Sequence, residues 1–430
     1  MNISPVRAAA FDVLLRIEAE HSFSSVLLPI YEELLSPADS SLCHELTLGS
    51  LRRQIYLDRL IDHFTGSKKL DVAVRTAIRL GLYQLIFLDK IPDYSAINES
   101  VGLVQRAKKT SAKGFVNAIL RRATREKPVF EFVDDIDRVS VETSHPRWLI
   151  EKWIGEFGID EANLMASANN EIPKPAFRLI RPWEEIGGEV KENWSRSEFA
   201  DGIYIAPRFD SRLRELEADG QIYFQDEASQ IAAQSVSVPE NGRVLDVCAA
   251  PGGKTGLIAK RLGTDAGLVV AGDLHWSRID YLRKNCVRQG VEFVNIVQYD
   301  ATKHLPFADE SFDVVFVDAP CSGTGTIRHN PEIRYFLTSR DFPALATKQL
   351  SILTNASKLV KRGGSLVYST CSVELDENES VAQRFLGESH GFTIAVPRVD
   401  DRFRTTDGFA RTWPHRDNMD GFFIAEFRRS

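Results

Sequence analysis

Apolar side chains recur at helical spacing through the first 127 residues of the chain. In Val6–Ile17, for example, Phe11, Leu14 and Leu15 fall on one helical face. The same spacing recurs in runs over residues 42–61, 70–88, 97–104 and 114–122. Because only short connections separate these runs, the pattern predicts a compact all-helical bundle.

Residues 236–430 show a different pattern, in which short apolar runs alternate with helical ones. The apolar runs are Arg243–Val247, Leu268–Ala271, Val294–Val297, Val314–Val317, Ser365–Tyr368, Phe392–Val396 and Gly421–Phe427. Such alternation predicts a mostly parallel, doubly wound α/β sheet of the Rossmann-like type. No clear helical run follows Val396, so we expect the last two strands to pair as an antiparallel edge.

The segment between these patterns is mixed and begins at a break, Lys127–Pro128. Neither a helical nor a strand period runs through it. We therefore predict three parts: an all-helical domain over 1–127, a linker with a small mixed subdomain over 128–235, and a sheet domain over 236–430.

Charge is uneven along the chain. The total of 53 Lys and Arg against 60 Asp and Glu gives −7, so any nucleic-acid contact requires locally clustered basic groups. Residues 106–127 hold eight basic residues and one acid, Glu126. The basic residues are Arg106, Lys108, Lys109, Lys113, Arg121, Arg122, Arg125 and Lys127. This stretch is either a phosphate-contact surface or a solvated helix face, and both interpretations stay open.

Several classes of protein are excluded by simple patterns. No apolar run reaches the ~18 residues that a membrane helix needs, and residues 1–10 lack a signal-peptide core. The five cysteines are widely spaced, with no CxxC pair and no zinc spacing. We therefore expect a cytoplasmic protein with free thiols, no structural metal and no membrane contact.

Acidic residues follow the first three predicted strands. Asp246 opens the segment DVCAAPGGKT, a small-residue turn before a helix that is neither GxGxxG nor a phosphate loop. Asp273 and Asp300 follow the second and third strands. Either one alone would be read as a helix N-cap, but together they suit ribose hydroxyls and an adenine amine. The pattern predicts an adenosine pocket without a phosphate clamp, which S-adenosylmethionine fits.

Two cysteines follow the fourth and fifth strands. Cys321 comes three residues after Asp318, and Cys371 follows Thr370. A buried cysteine is usually an inert small apolar residue, but two at neighbouring strand ends favour nucleophilic chemistry. Cys248, in the first loop, is predicted only to line the pocket.

Several segments of the chain resemble known motifs. DVCAAPGGKT, DAPCSGTG and STCS resemble motifs I, IV and VI of the RNA cytosine-C5 methyltransferases, and FQDEAS and DGFF resemble two further segments. In the first domain, Arg79–Leu85 and Lys113–Arg122 resemble a NusB-type RNA-binding bundle. The combination is similar to the RsmB (Sun or Fmu) family of 16S rRNA cytosine-C5 methyltransferases, over nearly the whole chain.

The resemblance implies a reaction and a role for each motif residue. S-adenosylmethionine is the implied cofactor, and a cytosine of 16S rRNA, of the cytosine 967 type, is the implied target. Cys371 would attack carbon 6 of the base, and Cys321 would assist release of the product. Asp318, or a protonated N3 facing it, would stabilise charge on the ring, and Lys254 would orient the base or favour the Cys371 thiolate. The implied donor-binding residues are Cys248, Ala249, Ala250, Pro251, Gly252, Gly253, Lys254, Asp273, Asp300 and Asp318.

Some alternatives stay open. DNA cytosine-C5 methylases use a Pro-Cys nucleophile, here Pro320–Cys321, whereas Thr370–Cys371 favours the RNA arrangement. Ile327–Glu332 reads IRHNPE where the family more often has IRRHPD, so target contacts from this segment are open. The target could also be another rRNA or a tRNA, or the chain could be a non-catalytic RNA-binding protein. The expected partner is 16S rRNA, naked or in an early assembly particle, and no protein partner is required.

Overall fold

The computed structural model describes residues 3–183, 193–263 and 267–430, and the contacts among them divide the chain into two compact units. The helical unit comprises residues up to Glu171 together with Ile327–Leu337. The sheet unit comprises Ile172–Thr326 and Thr338–Ser430. Among the described residues, no helix combines the length and apolarity that crossing a bilayer requires.

Consecutive helices build the first part of the helical unit. They are α1 (Pro5–Glu20), α2 (Ser24–Glu32), α3 (Pro37–Arg52), α4 (Gln54–Thr65), α5 (Val72–Phe87), α6 (Asp93–Arg106), α7 (Lys113–Ala123), α8 (Asp135–Thr143), α9 (Arg147–Phe157) and α10 (Ile159–Ala168). Local signals set several starts, since Ser36 and Asp71 cap α3 and α5 by accepting from the backbone N–H groups of Asp39 and Ala73. The predicted helical bundle is confirmed.

Two details of the helical unit differ from the prediction. The run over 42–61 is divided into α3 and α4, which meet at the non-helical residue Arg53. Helix α2 was not predicted, and it contains Pro29, a residue that disfavours a helix interior. α5 and α7 pack closely because Gly81 has no side chain; a Cβ there would lie 2.6 Å from Cδ1 of Leu120.

Helices α8–α10 belong to the helical unit, whose boundary lies at 171 and 172 rather than at the predicted positions 127 and 235. The reason is packing: α8 lies against α4, with the Tyr56 N–H donating to Ser144 Oγ at 3.1 Å. Residues 172–235 group with the sheet. The contacts divide the chain into two units and do not test the three-part division, which stays a prediction.

The sheet unit begins with a small antiparallel sheet in the order β2-β3-β1-β4. Its strands are β1 (Ala176–Leu179), β2 (Ser195–Arg196), β3 (Ile203–Ile205) and β4 (Ile222–Phe224), followed or interrupted by α11 (Ser211–Ala218) and α12 (Glu227–Ser235). Phe177, Trp194 and Tyr204 form its core, so the tryptophan packs rather than lying free for base stacking.

A larger sheet follows, in the order β10-β12-β9-β8-β5-β6-β7, with β11 beside β12. Its elements are β5 (Arg243–Asp246), α13 (Gly253–Leu262), β6 (Leu268–Asp273), α14 (Trp276–Arg288), β7 (Asn295–Gln298), β8 (Phe312–Asp318), α15 (Ile333–Phe336), α16 (Asp341–Ser357), β9 (Val360–Thr370), α17 (Glu379–Glu388), β10 (Phe392–Ala395), β11 (Ala410–Thr412), α18 (Pro414–Asp417) and β12 (Phe422–Arg429). Of these, α15 belongs to the helical unit.

The predicted doubly wound sheet is confirmed. β7, β6, β5, β8 and β9 pair in parallel, and β12 pairs antiparallel with both β9 and β10. The predicted antiparallel edge is therefore also present. Central residues such as Leu245, Val315 and Phe316 are fully buried, as expected for strands covered on both faces.

Candidate active site

The carboxyl ends of four neighbouring strands bring the predicted site residues to one edge of the sheet. β6, β5, β8 and β9 lie side by side and end at Asp273, Asp246, Asp318 and Thr370. Ligands of doubly wound sheets bind outside these ends. The loops after the four strands therefore form the candidate site.

The first loop packs tightly against the end of β6. The Ala249 N–H donates to the Gly272 carbonyl at 2.8 Å, and the Ala250 N–H donates to Asp273 Oδ2 at 3.2 Å. Gly252 has a φ of +102°, and a Cβ there would lie 2.8 Å from Cδ1 of Leu282. Glycine at position 252 is thus required by the protein's own packing.

Asp246 is a functional candidate that the sequence reasoning left out of the site. Its carboxyl group is buried, and Thr255 Oγ1 donates to Oδ2 at 2.7 Å. Among the described residues, Oδ1 has no hydrogen-bond partner. Burial, with the nearby charge of Asp318, raises the pKa of Asp246 to about 7. The available signal was its position as the last strand residue before the loop.

Asp273 and Asp300 sit in different environments. Asp273 is buried, its Oδ1 accepts from the Leu274 N–H, and Arg278 Nη1 lies 3.5 Å from its Oδ2. Asp300 accepts from Thr302 N and Oγ1 within its own turn, and these bonds lower its pKa. Asp273 is therefore bonded to the first loop, through the Ala250 N–H. Asp300 instead accepts within its own turn, as an N-cap residue would.

Lys254 and Asp318 form an ion pair at the centre of the site, with Lys254 Nζ 2.7 Å from Asp318 Oδ2. Ser369 Oγ donates to the other carboxylate oxygen at 2.8 Å, and the ammonium lies 4.9 Å from the centre of the Phe422 ring. Burial alone would lower the pKa of Lys254, but the Asp318 carboxylate outweighs burial and raises it. Lys254 is therefore a partly buried cation, with 15% of its side chain exposed, and not the solvent-facing lysine that a helix start often carries.

The two predicted catalytic cysteines meet in the structure. Cys321 Sγ and Cys371 Sγ are 3.3 Å apart, although the residues are 50 positions apart in the chain. The hydrogen bond with Cys371, together with burial, raises the pKa of the Cys321 thiol well above its ordinary value. Cys371 also contributes electrostatically to the raised pKa of Lys254. Both thiols and the ion pair therefore share one site.

Cys248 is placed differently. Burial, with the charge of Asp246, raises the pKa of the Cys248 thiol above its ordinary value. A thiol that is kept protonated in this way is a poor nucleophile.

The loop after β8 and the loop after β9 are tied together by backbone contacts. The Gly325 N–H donates to the Cys371 carbonyl at 3.0 Å, and the Gly421 N–H donates to the Gly325 carbonyl at 2.9 Å. A Cβ on Gly325 would lie 1.9 Å from the Gly421 carbonyl oxygen. Glycine at this position thus lets the two cysteine loops and the start of β12 come together.

The acidic strand ends fit a cationic small molecule without a phosphate. Asp246, Asp273 and Asp318 are near enough that charges on the other two raise the pKa of Asp246. S-adenosylmethionine carries sulfonium and ammonium cations, which such a cluster attracts. The unpartnered oxygen of Asp246 and the small-residue loop are consistent with binding this molecule here.

The basic stretch 106–127 lies in the helical unit, and part of its charge is neutralised within that unit. Arg106 pairs with Asp12, Lys109 with Asp71, and Arg122 with Glu126. The other basic residues of the stretch have no carboxylate partner among the described residues; these are Lys108, Lys113, Arg121, Arg125 and Lys127. A phosphate-contact surface would therefore contain fewer available basic residues than the sequence suggests.

Comparison with known proteins assigns both units to described families. The family model "16S rRNA methyltransferase RsmB/F" matches residues 233–428, and the NusB family model matches residues 4–125. Ribosomal RNA small subunit methyltransferase B of Pseudomonas putida is 34% identical, over 99% of this chain and 98% of its own length.

Solved structures show the same fold. The crystal structure of PH0851 is 25% identical with a TM-score of 0.84, and the match covers 100% of both chains. NSun6 from Pyrococcus horikoshii, solved with SFG, is 24% identical with a TM-score of 0.58, over 66% of this chain and 98% of that one. The fold described above is thus also found in experimental structures.

Proposed function

The chain belongs to the ribosomal RNA small subunit methyltransferase B family, whose members are S-adenosylmethionine-dependent rRNA methyltransferases, and from this premise we propose its reaction. We propose that it methylates carbon 5 of a cytosine in 16S rRNA, of the cytosine 967 type, through a covalent bond between a cysteine and carbon 6. The donor-binding set proposed from the sequence is kept, with Asp246 added to it.

The observation that supports this proposal is the pair of thiols 3.3 Å apart beside the ion pair of Lys254 and Asp318. Methylation of an RNA nitrogen or oxygen uses a lone pair on that atom and needs no thiol. Carbon 5 of cytosine is a weak nucleophile, and addition of a thiolate at carbon 6 makes it reactive. Two adjacent thiols therefore favour carbon 5 as the target atom.

The residues divide the work by their electrostatic surroundings. Cys371, near the Lys254 ammonium, attacks carbon 6 as the thiolate, and Cys321 keeps its proton as a hydrogen-bond donor. S-adenosylmethionine, when bound, supplies the methyl group. After transfer, a water molecule takes the proton on carbon 5, and the electrons of that C–H bond restore the double bond between carbons 5 and 6. The bond between carbon 6 and sulfur breaks, and its electron pair returns to the Cys371 sulfur. Cys321 assists this release.

Asp318 faces the base edge in this proposal. Both of its oxygens already accept hydrogen bonds, from Lys254 Nζ and Ser369 Oγ, so of the two open alternatives we choose the one in which N3 of the base carries the proton. Ser369 and Lys254 hold both carboxylate oxygens, which fixes the orientation of the group in advance of substrate binding.

Methyl transfer from labelled donor to 16S rRNA tests the proposal. Wild-type protein and Cys371→Ala should be compared on naked transcript and on early assembly particles, followed by bisulfite sequencing of the product. We expect 5-methylcytosine at one position with wild-type protein only. Methylation of a tRNA or another rRNA would contradict the target, and transfer to a nitrogen or oxygen atom would contradict the chemistry.

A further inference from the structure

A buried carboxylate contacts the residues that directly follow the two cysteines. Glu377 is fully buried and follows Cys371 by six residues, in the loop before α17. Its Oε1 accepts from Ser322 Oγ at 2.5 Å and from Ser372 Oγ at 2.7 Å. Its Oε2 accepts from the Ser322 N–H at 2.9 Å and from Gln349 Nε2 at 2.8 Å.

The donor set indicates the charge of this group. An ionised carboxylate accepts about four hydrogen bonds and donates none, whereas a carboxylic acid must donate one. Glu377 meets four donors, and each of them is an uncharged group. Hydrogen bonds to a charged acceptor are the stronger kind, so four of them can hold a negative charge inside the protein.

The same bonds join the two cysteine loops. Ser322 directly follows Cys321, and Ser372 directly follows Cys371. Their hydroxyl groups meet on one oxygen of Glu377 and lie 3.1 Å from each other. Both loops are therefore bonded to the same carboxylate oxygen, and this shared contact sets the spacing of the neighbouring thiols.

The backbone around Glu377 is itself held in place. Tyr368 OH donates to the Glu377 carbonyl at 2.6 Å, and Asn378 Nδ2 donates to the Ser372 carbonyl at 2.8 Å. Tyr368 belongs to β9 and is fully buried. The backbone that carries the carboxylate is thus bonded to the central sheet and is not part of a mobile surface loop.

The two sulfur atoms have different charged neighbours. After the hydrogen bond with Cys371 and burial, the negative charge of Glu377 further raises the pKa of the Cys321 thiol. On the other side of the pair, Lys254 interacts electrostatically with Cys371. Cys321 therefore interacts with the buried Glu377 carboxylate, and Cys371 interacts with the partly buried Lys254 ammonium.

We propose that Glu377 is a positioning residue that sets the spacing of the two cysteine loops and whose negative charge keeps the proton on Cys321, so that Cys371 is the nucleophile. The inference rests on the proposed two-cysteine reaction. It adds a reason within the fold for the division of roles between the thiols, which the motifs alone left open.

Site-resolved alkylation of the free protein tests the charge without RNA or donor. Wild-type protein and Glu377→Gln are treated with iodoacetamide over a range of pH, and peptide mass spectrometry separates Cys321 from Cys371. Gln keeps the size of the side chain, removes the charge and replaces one acceptor oxygen by an NH2 group. We expect Cys321 of the variant to react at lower pH, with a gain of about threefold or more near neutral pH.

Three further variants separate charge from spacing. Ser322→Ala and Ser372→Ala retain the charge and each remove one hydroxyl, so each should lower kcat for RNA methylation and leave the KM for the donor unchanged. Glu426→Gln is the matched control, since Glu426 is another buried carboxylate that accepts from a serine, Ser365, between β12 and β9. It should change neither the alkylation profile nor the rate.

Each result bears on the proposal. A folded Glu377→Gln whose Cys321 profile matches wild type overturns the charge role. If Glu377→Gln does not fold, the serine variants decide, and wild-type kcat in both overturns the spacing role. A wild-type protein that methylates no cytosine rejects the proposed function instead, and a shift in the alkylation profile would still be measurable in that case.

Discussion

At the residue scale, the two sulfur atoms differ in surroundings and should fail differently. Cys371→Ala removes the attacking sulfur, so no covalent protein–RNA species forms and turnover is lost. Cys321→Ala permits attack and methylation but slows release, so protein should accumulate on methylated RNA as an adduct that survives denaturing electrophoresis. Reducing agent should not cleave it, because the bond is a thioether. Swapped phenotypes would make Cys321 the nucleophile, and full activity of both variants would exclude covalent catalysis.

The protonation of Asp246 should make the stability of the protein depend on pH. Its pKa in the folded protein is about 7, above the ordinary value of 3.8, so folding favours the protonated form. The free energy of unfolding should therefore fall as pH rises between these values. Asp246→Asn should remove the part of this fall that comes from Asp246, as measured by denaturant titration of both proteins across that range.

Donor binding should show the opposite trend. A cationic donor favours the carboxylate, so its affinity should rise as pH passes about 7, and Asp246→Asn should remove the rise and cost roughly 1–3 kcal/mol of binding above neutral pH. Calorimetric titration below and above neutral pH checks this. Asp313→Asn, at the amino end of β8, is the control and should bind as wild type does. Equal affinity of Asp246→Asn and wild type at both pH values would remove Asp246 from the site.

At the scale of elements, the candidate phosphate contacts lie in the turn before helix α7, on that helix and in the residues just after it. Neutralising Lys108, Arg121 and Arg125 together should weaken RNA binding and flatten its salt dependence, by ~0.7 in logarithmic slope per lost contact for single-stranded RNA. Donor binding should be unchanged. Fluorescence anisotropy with labelled 16S fragments over a salt series measures the slope.

A control variant is available in the same unit. Arg16 lies on α1 and is paired with Glu20, so Arg16→Ala changes an exposed arginine outside the stretch. Lys109 and Arg122 are paired with carboxylates, and replacing them should have a smaller effect than replacing the three unpaired residues. A slope equal to that of wild type in the triple variant would return the stretch to a solvated face.

At the scale of the whole molecule, the chain leaves the sheet unit after the Cys321 loop, contributes Ile327–Leu337 to the helical unit, and returns. Arg334 anchors this segment. It is fully buried, and its guanidinium donates to the carbonyls of Thr143, Ser144 and Asn169, where α8 and α10 end. Helix ends present unsatisfied, partly negative carbonyls, which suit a planar cation with several donors.

Arg334→Ala should therefore destabilise the helical unit, although residue 334 lies far from α8 in the chain. We expect a loss of about 3 kcal/mol or more, because several buried carbonyls lose their donor and a large side chain leaves a cavity. The stability of Arg334→Lys should lie between that of wild type and that of Arg334→Ala, because lysine keeps the charge but lacks the planar guanidinium. Differential scanning calorimetry of the full chain measures the shift. An unchanged transition in Arg334→Ala would show that the segment is not held by this residue.

The sequence alone determined the parts of the molecule that depend on near neighbours. Helical and strand periods, the small-residue turn at Ala249–Gly253 and the residue types after each strand are properties of short stretches, so they could be read in chain order. Strand–helix alternation predicted parallel strands, whose carboxyl ends therefore lie at the same edge of the sheet. The two cysteine motifs were recognisable for the same local reason.

Only the tertiary structure decided which of these parts meet. Lys254 reaches Asp318 across 64 positions, and the 3.3 Å between the thiols spans 50. Both depend on the placement of β8 between β5 and β9, which chain order does not state. Glu377 carried no motif signal of its own, because its significance lies in four donors that come from separate segments. The addition of 327–337 to the helical unit and the ion pairing within the basic stretch likewise result from long-range packing, which determines the charges that remain exposed.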